Sequence, residues 1–357
     1  MCAKSYIGGM LPTFWKMTLI TRDSMVSELE KTPKVSVILT VKNEERTIGH
    51  VIESILKVDY PDYEVIVVDG GSKDKTVDIA KNHRVRVIQT RDSTPGQGRN
   101  VGIINSSHPI VAFIDGDCYV ERKDWLRNGV DLLKQKNIGG VGGPATPFSE
   151  ASYMSRALMN VLSTFFANAG SAQFARCEKQ REVESISSCN GIYRREAIER
   201  AGLFAEDLRF CEDADLNYRI RKLGYRLVYS PKVNVEHDWK VHSFSSLFRY
   251  MLRYGAGRAV AVKKHPYLFS LLHAVPSIAL VSISVLFLLA LVSGEIFMYA
   301  TLLLVSFYCA LSFLSAFFAA HQFKDVKMML VAPVTYFLVH VGYAIGFISG
   351  LFSRDAK

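Results

Sequence analysis

Asp115-Gly116-Asp117 places two carboxylates one small residue apart. That spacing can hold a divalent cation and still leave coordination positions open to phosphate oxygens. A cation there would offset the charge that builds on a departing diphosphate; the plainer alternative is an acidic turn. Asp69 opens the run Asp-Gly-Gly-Ser-Lys-Asp-Lys-Thr, and its carboxylate can accept from an N–H of uracil or guanine. Ser72 and Asp74 within that run read better as helix caps. Gly96-Gln97-Gly98-Arg99-Asn100 joins small residues to a cation at the opening of a helix. This suits a diphosphate approached by backbone and by Arg99, or else leaves Arg99 exposed on a helix. Glu212-Asp213-Ala214-Asp215 offers a general base, or simply an acidic helix N-terminus favoured by the macrodipole. His237 can lie against a metal or a diphosphate, or stand partly exposed at a strand end.

Short β-branched runs position these groups. Val35 to Val41 has the continuous apolar character of a strand buried in a parallel sheet. Ile48, Val51, Ile52, Ile55 and Leu56 then recur at helical spacing. Glu64 to Asp69, Val85 to Gln89 and Ile110 to Asp115 read as further strands, with helices from about Asp74 and over Arg99–Ser106. Strands alternating with helices imply a parallel sheet with right-handed crossovers, whose ligands sit at the carboxyl ends of the strands. Asn43-Glu44-Glu45, Asp69 and Asp115-Gly116-Asp117 all fall at such ends. Beyond them, residues 151–168 read as an apolar helix, Ser185 to Arg194 as a strand, Asp213 to Leu223 as a helix and Tyr225 to Tyr229 as a strand.

The chain has 357 residues and a formal charge of +9, from 43 basic against 34 acidic residues. Much of the excess lies in Lys240, Arg249, Arg253, Arg258, Lys263 and Lys264, just ahead of long apolar stretches. A basic cluster beside a hydrophobic span reads as a cytoplasmic membrane collar. A nucleic-acid partner is not expected, because aromatic and basic residues do not interleave outside that collar. The stretches 271–293, 296–320 and 328–352 each reach the roughly 20 residues that cross a bilayer. With Gly294-Glu295 as a minimal turn, the expected topology is three passes, a cytoplasmic catalytic domain and a C-terminus on the far side. Pro333, His340, Gly342, Gly346 and Gly350 leave room for a packed or re-entrant third segment. The six cysteines show no ligand spacing, so reduced thiols are expected rather than a zinc or disulfide framework. Residues 1–33 read as an interfacial or disordered tail, followed by a catalytic domain over 34–240, a basic juxtamembrane segment over 241–266 and a membrane region over 267–357.

From about Lys34 to His237 the order of motifs resembles the family 2 glycosyltransferases of the GT-A fold. The matching segments are Val35 to Thr40 with Asn43-Glu44-Glu45, Val67 to Thr76, Arg99 to Ile103, Phe113 to Asp117 and Glu212 to Arg219. The resemblance implies an α/β, Rossmann-like, mostly parallel sheet followed by transmembrane helices. It implies an inverting hexosyltransferase that takes a sugar from a UDP- or GDP-sugar and depends on Mg²⁺ or Mn²⁺. By position, Asn43, Glu44, Asp69, Arg99 and Asp115 fall to the donor, Asp115, Asp117 and His237 to the metal, and Asp213 to the catalytic base. Asn190, Gly191, Glu212 and Arg253 fall to the acceptor or diphosphate side. A closer likeness, to bacterial and archaeal enzymes of the succinoglycan-assembly type, rests on Phe248 to Arg258 and the terminal spans. It implies a polyprenyl-linked or polysaccharide acceptor at the plasma membrane of a prokaryote. Two departures stand out. Asp69-Gly70 replaces the common Asp-Asp pair, and the Q-x-x-R-W signature of processive synthases survives only as Tyr250-x-x-Arg253-Tyr254. Single addition is therefore the expected mode, with processive polysaccharide synthesis as the alternative.

Overall fold

The computed structural model describes residues 32–169 and 178–353; most of the expected N-terminal tail lies outside them. The first half alternates as expected: β1 (Val35–Val41), α1 (Ile48–Leu56), β2 (Tyr63–Asp69), α2 (Thr76–Lys81), β3 (Arg86–Gln89), α3 (Pro95–Ile104) and β4 (Ile110–Asp115). Then follow β5 (Cys118–Tyr119), α4 (Trp125–Leu133), β6 (Ile138–Gly142), β7 (Ala145–Pro147), α5 (Tyr153–Leu162) and α6 (Phe165–Asn168). The soluble part closes with β8 (Arg181–Val183), β9 (Asn190–Arg194), α7 (Arg195–Arg200), α8 (Glu212–Lys222), β10 (Arg226–Tyr229) and β11 (Val235–His237).

Eight strands form one mixed sheet in the order β3-β2-β1-β4-β9-β6-β10-β8. The quartet β3-β2-β1-β4 is parallel, and β9 runs against both β4 and β6. Central β1 is covered on both faces, which is why it reads as an unbroken apolar run. Register then sets the site, because Val41 pairs with Asp69 while Thr40 pairs with Asp115. The two acidic strand ends thus share one rim. A second sheet, β5-β11-β7, pairs His237 with Cys118, one residue past Asp117.

Several boundaries differ from expectation for local reasons. Helix α3 begins at Pro95 because Thr94 and Gln97 form a reciprocal capping box with proline at the first turn. The apolar helix expected over 151–168 divides at Ser163 and Thr164, whose hydroxyls donate to the carbonyls of Asn160 and Val161. The strand expected from Ser185 begins only at Asn190.

Past the soluble part lie α9 (Phe244–Lys264), a 3₁₀ turn at Pro266–Leu268, α10 (Leu271–Ser293), α11 (Glu295–Phe323) and α12 (Met328–Phe352). The last three are long and apolar enough to cross a membrane. They differ in exposure, since α10 is 6% and α11 17% buried over their most apolar windows, against 44% for α12. Helix α12 packs along α9 through glycines. A Cβ on Gly346 would lie 2.1 Å from the Leu252 carbonyl oxygen, and one on Gly255 would lie 2.3 Å from that of Tyr343. Only a missing side chain permits that approach.

Candidate active site

The loops after β1 and β2 are stitched together at the shared rim. Asn43 holds a positive φ of 56°. Its N–H donates to Ser72 Oγ at 2.8 Å, its Oδ1 accepts from the Lys73 N–H at 2.9 Å, and the Glu44 N–H donates to Thr76 Oγ1 at 2.7 Å. Ser72 is therefore a loop tie rather than the expected helix cap, and α2 starts without a side-chain cap at its first position. Asp74 does cap locally, accepting from the Thr76 N–H at 3.0 Å. Asp69 is 1% exposed and accepts from the Gly71 and Ser72 N–H groups and from the Ser72 hydroxyl. It sits behind a wall formed by Val68 and Gly70.

Arg99 is buried, not exposed on its helix. Its guanidinium donates to Asp115 Oδ1 at 2.8 Å and to Glu212 Oε1 at 2.6 Å, beneath the Phe204 ring. One cation thus ties the sheet rim to the start of α8. Gly116 is required between the two aspartates, since a Cβ there would come within 2.8 Å of Val41 and 2.9 Å of Glu44.

Asp117 faces His237, with Nε2 3.1 Å from Oδ1, and Lys240, with Nζ 3.3 Å from Oδ2. Burial acts to raise the Asp117 pKa, but His237 and Lys240 together outweigh it and hold the carboxyl below its ordinary value. Burial likewise opposes charge on His237, yet Asp117 holds the imidazole well above its usual range. His237 is 7% exposed, so the partly exposed alternative is set aside. Lys240, counted in the sequence with the membrane collar, instead joins Glu44 to Asp117. Its neighbour Trp239 stacks near the His237 ring.

The donor set fits a hard divalent cation. Asp115 is partly open, with a side chain 30% exposed, and Asp117 already holds positive charge in the form of Lys240 and His237. Carboxylate oxygens with an imidazole at hand match Mg²⁺ or Mn²⁺. Behind them Cys118, Cys189 and His237 come within 4.8 Å of one another, a cluster that no sequence spacing announced.

Of the three acids that open α8, two are committed. Glu212 is held by Arg99, and Asp215 is fully buried against Arg219 and Tyr267. Asp213 makes no ion pair among the described residues, accepts from the Ala214 N–H at 2.7 Å and lines the cavity. Burial raises its pKa, with Arg99 the main opposing influence.

Three residues assigned to the acceptor or diphosphate side are not brought to that cavity. Asn190 is 1% exposed, and its amide is spent on Trp125 Nε1 and on the carbonyls of Gly143 and Val233. Gly191 lies inside β9 under the Tyr193 ring. Arg253 is exposed on α9 and points elsewhere. Arg258, about one turn and a half further on, does line the cavity; it is 9% exposed, and its Nε has no hydrogen-bond partner among the described residues. Helical periodicity of α9 separates the two arginines onto different faces, which a motif match cannot resolve.

The cavity measures about 860 Å³. It runs from Asp115, Asp117 and Asp213 past Tyr254 and Arg258 to Leu272 and His273 at the root of α10.

Comparison with known proteins bears on the family and the fold. The sequence profile of "Glycosyl transferase family 2" matches residues 36–202. The chain is 31% identical over 242 residues to glycosyltransferase AglE of Haloferax volcanii, covering 63% of this chain and 73% of that protein. It is 25% identical over 246 residues to the dolichyl N-acetyl-alpha-D-glucosaminyl phosphate 3-beta-D-2,3-diacetamido-2,3-dideoxy-beta-D-glucuronosyltransferase of Methanococcus voltae, covering 64% of this chain and 74% of that protein. In fold it is similar to the mannosyltransferase PcManGT of Pyrobaculum calidifontis, solved with GDP-Man and Mn²⁺. The TM-score is 0.57 at 22% identity, covering 85% of this chain and 87% of the other.

Proposed function

The chain belongs to glycosyl transferase family 2, and from that premise we propose that it moves a sugar, with inversion, from a UDP- or GDP-sugar to a lipid-linked saccharide at the cytoplasmic face of a prokaryotic plasma membrane. The observation that carries the reading is Asp213. It is the one carboxylate of its cluster that lines the cavity without an ion pair, in the same cavity as Asp115 and Asp117. In a single displacement the acceptor hydroxyl attacks the anomeric carbon opposite the diphosphate. Asp213 takes the hydroxyl proton as the new C–O bond forms, and the electron pair of the breaking C–O bond leaves with the diphosphate.

The nucleotide is proposed to rest on the loop that Asp69 braces from behind, with Val68, Gly70 and Glu44 lining the cavity and Asn43 shaping the turn. Asp115 and Asp117, bordered by His237, would hold Mg²⁺ or Mn²⁺, which offsets charge on the leaving diphosphate when bound. Arg99 orients Asp115 and engages the Glu212 carboxyl, which leaves Asp213 for the base role. On the acceptor side Arg258 replaces Arg253. A buried guanidinium with an unmet N–H suits a phosphate on a lipid carrier. The acceptor class draws support from the relative named for a dolichyl phosphate substrate and from the cavity's extension to the root of α10. Residues 34–240 then form the transferase unit, 241–266 the juxtamembrane segment and 267–357 the membrane region.

Screening the purified protein in lipid against UDP- and GDP-sugars should show nucleotide release from one donor, only when a divalent cation and a lipid-linked acceptor are present. Full turnover in excess chelator would overturn the metal assignment. Asp117→Ala should abolish donor binding even at saturating Mn²⁺, read by calorimetry, and unchanged affinity would remove Asp117 from the site.

A further inference from the structure

We infer that α12 lies flat along the membrane surface instead of crossing it, so that the described residues cross the bilayer twice, through α10 and α11, and Ser353 lies on the side of the catalytic domain. The inference rests on packing and is independent of the transfer chemistry proposed above.

Both ends of α12 are tied to the soluble part. Ahead of its first turn, the Tyr153 hydroxyl of α5 donates to Asp325 Oδ2 at 2.8 Å. Ala332 and Tyr336 then pack against Ala157 and Val161 of α5, and His340 Nε2 meets the Phe166 carbonyl of α6 at 2.8 Å. Further along, Gly346 and Gly350 close on Leu252 and Ala256 of α9. At the far end Lys263 Nζ donates to the Ser353 carbonyl at 2.7 Å. The supporting helices are themselves anchored: Ser155 Oγ of α5 donates to the Val241 carbonyl at 2.8 Å, and Lys264 of α9 to that of Asp207 at 2.9 Å.

At 1.5 Å per residue, 25 residues make α12 about 37 Å long. That length runs along the underside of the domain and not away from it. A spanning α12 would carry α9 into the hydrocarbon beside it, together with Arg249 and Arg253, which are exposed. A charge at the bilayer centre is costly and is avoided unless paired. Flat placement keeps those arginines at headgroup level.

The face of α12 turned away from the protein fits a lipid surface. Leu330, Val334, Phe337, Ile345 and Phe352 are 79%, 46%, 54%, 42% and 83% exposed, and they recur along one stripe of the helix. Such a stripe embeds at the headgroup–acyl boundary. By contrast α10 starts at the cavity, and α11 returns to α5 through Ala316, Ala320 and Phe323. That is a two-pass hairpin.

The test uses the full chain in liposomes, with spin labels carried by an unnatural amino acid at Leu330, Phe337 and Ile345 so that native cysteines stay untouched. Depth is read from relaxation by oxygen against a water-soluble nickel chelate. Flat placement puts all three labels within about 5 Å of one shallow depth, one helical pitch. A spanning helix spreads the outer two by roughly 20 Å at 1.5 Å per residue, and that result overturns the inference. Independently, a protease site appended after Lys357 should be cut in sealed vesicles whose catalytic domains face outward, while one inserted at Gly294 stays protected. Protection of the C-terminal site would equally sink the two-pass topology.

Discussion

Asp213→Asn should lower turnover by roughly 10²–10⁴-fold, the usual worth of a positioned acid or base, with little change in donor affinity. The substitution keeps size and the hydrogen bond from Ala214 but cannot take a proton. Glu212→Gln and Asp215→Asn serve as controls, because both parent carboxylates are already committed, to Arg99 and to Arg219. Those variants should lose stability more than they lose rate per folded molecule. The pH profile gives a second reading. Burial raises the Asp213 pKa, and a base works only when deprotonated, so kcat/KM should fall as pH drops through a value above the ordinary carboxylate range. The residual activity of Asp213→Asn should lack that acid limb. Near-normal turnover in Asp213→Asn, with collapse in Asp215→Asn, would move the base to the other residue.

The second large effect is on stability. Arg99→Met keeps most of the buried volume but removes the only ion-pair partner of Glu212 among the described residues and one from Asp115. Breaking a buried pair from one side costs about 3–5 kcal/mol, because a charge is left uncompensated. Burial and Asp213 already push the Glu212 pKa upward against Arg99. With Arg99 gone the folded state binds a proton more readily than the unfolded chain. Stability of Arg99→Met should therefore fall as pH rises past the unfolded carboxylate value and be partly regained on acidification. Denaturation at two pH values checks the sign. Adding Glu212→Gln should recover a substantial part of the loss, and no recovery would show that the pair is not the source of the cost.

How much of this was legible in the sequence depended on local signal. Strands β1, β2 and β4 announced themselves because burial on both faces demands continuous apolar runs, and their parallel register fixed where Asp69 and Asp115 had to stand. Strand β6, Ile-Gly-Gly-Val-Gly, carries no such signal. Its glycines make room for the rings of Tyr193 and Tyr225, which come from distant parts of the chain. The three apolar helices were legible to within a few residues, but whether a helix crosses a membrane or rests on it depends on partners. For α12 those partners are α5 and α9. Lys240 was misread for the same reason, since nothing local distinguishes a lysine at the head of a basic run from one folded back onto Asp117. Choosing between Arg253 and Arg258 likewise required knowing which face of α9 meets the cavity.

The cavity joins Asp213 to Leu272 and His273 at the root of α10, one of the helices long and apolar enough to cross a membrane. Under the proposed function its two substrates arrive from phases that do not mix, one searching a volume and the other a plane. For the second, moles per litre is the wrong unit, and what the active site senses is surface density. Diluting the acceptor with inert lipid at constant bulk concentration should slow the reaction as surely as removing acceptor. Adding more vesicles of unchanged composition should leave the rate per bound enzyme where it was.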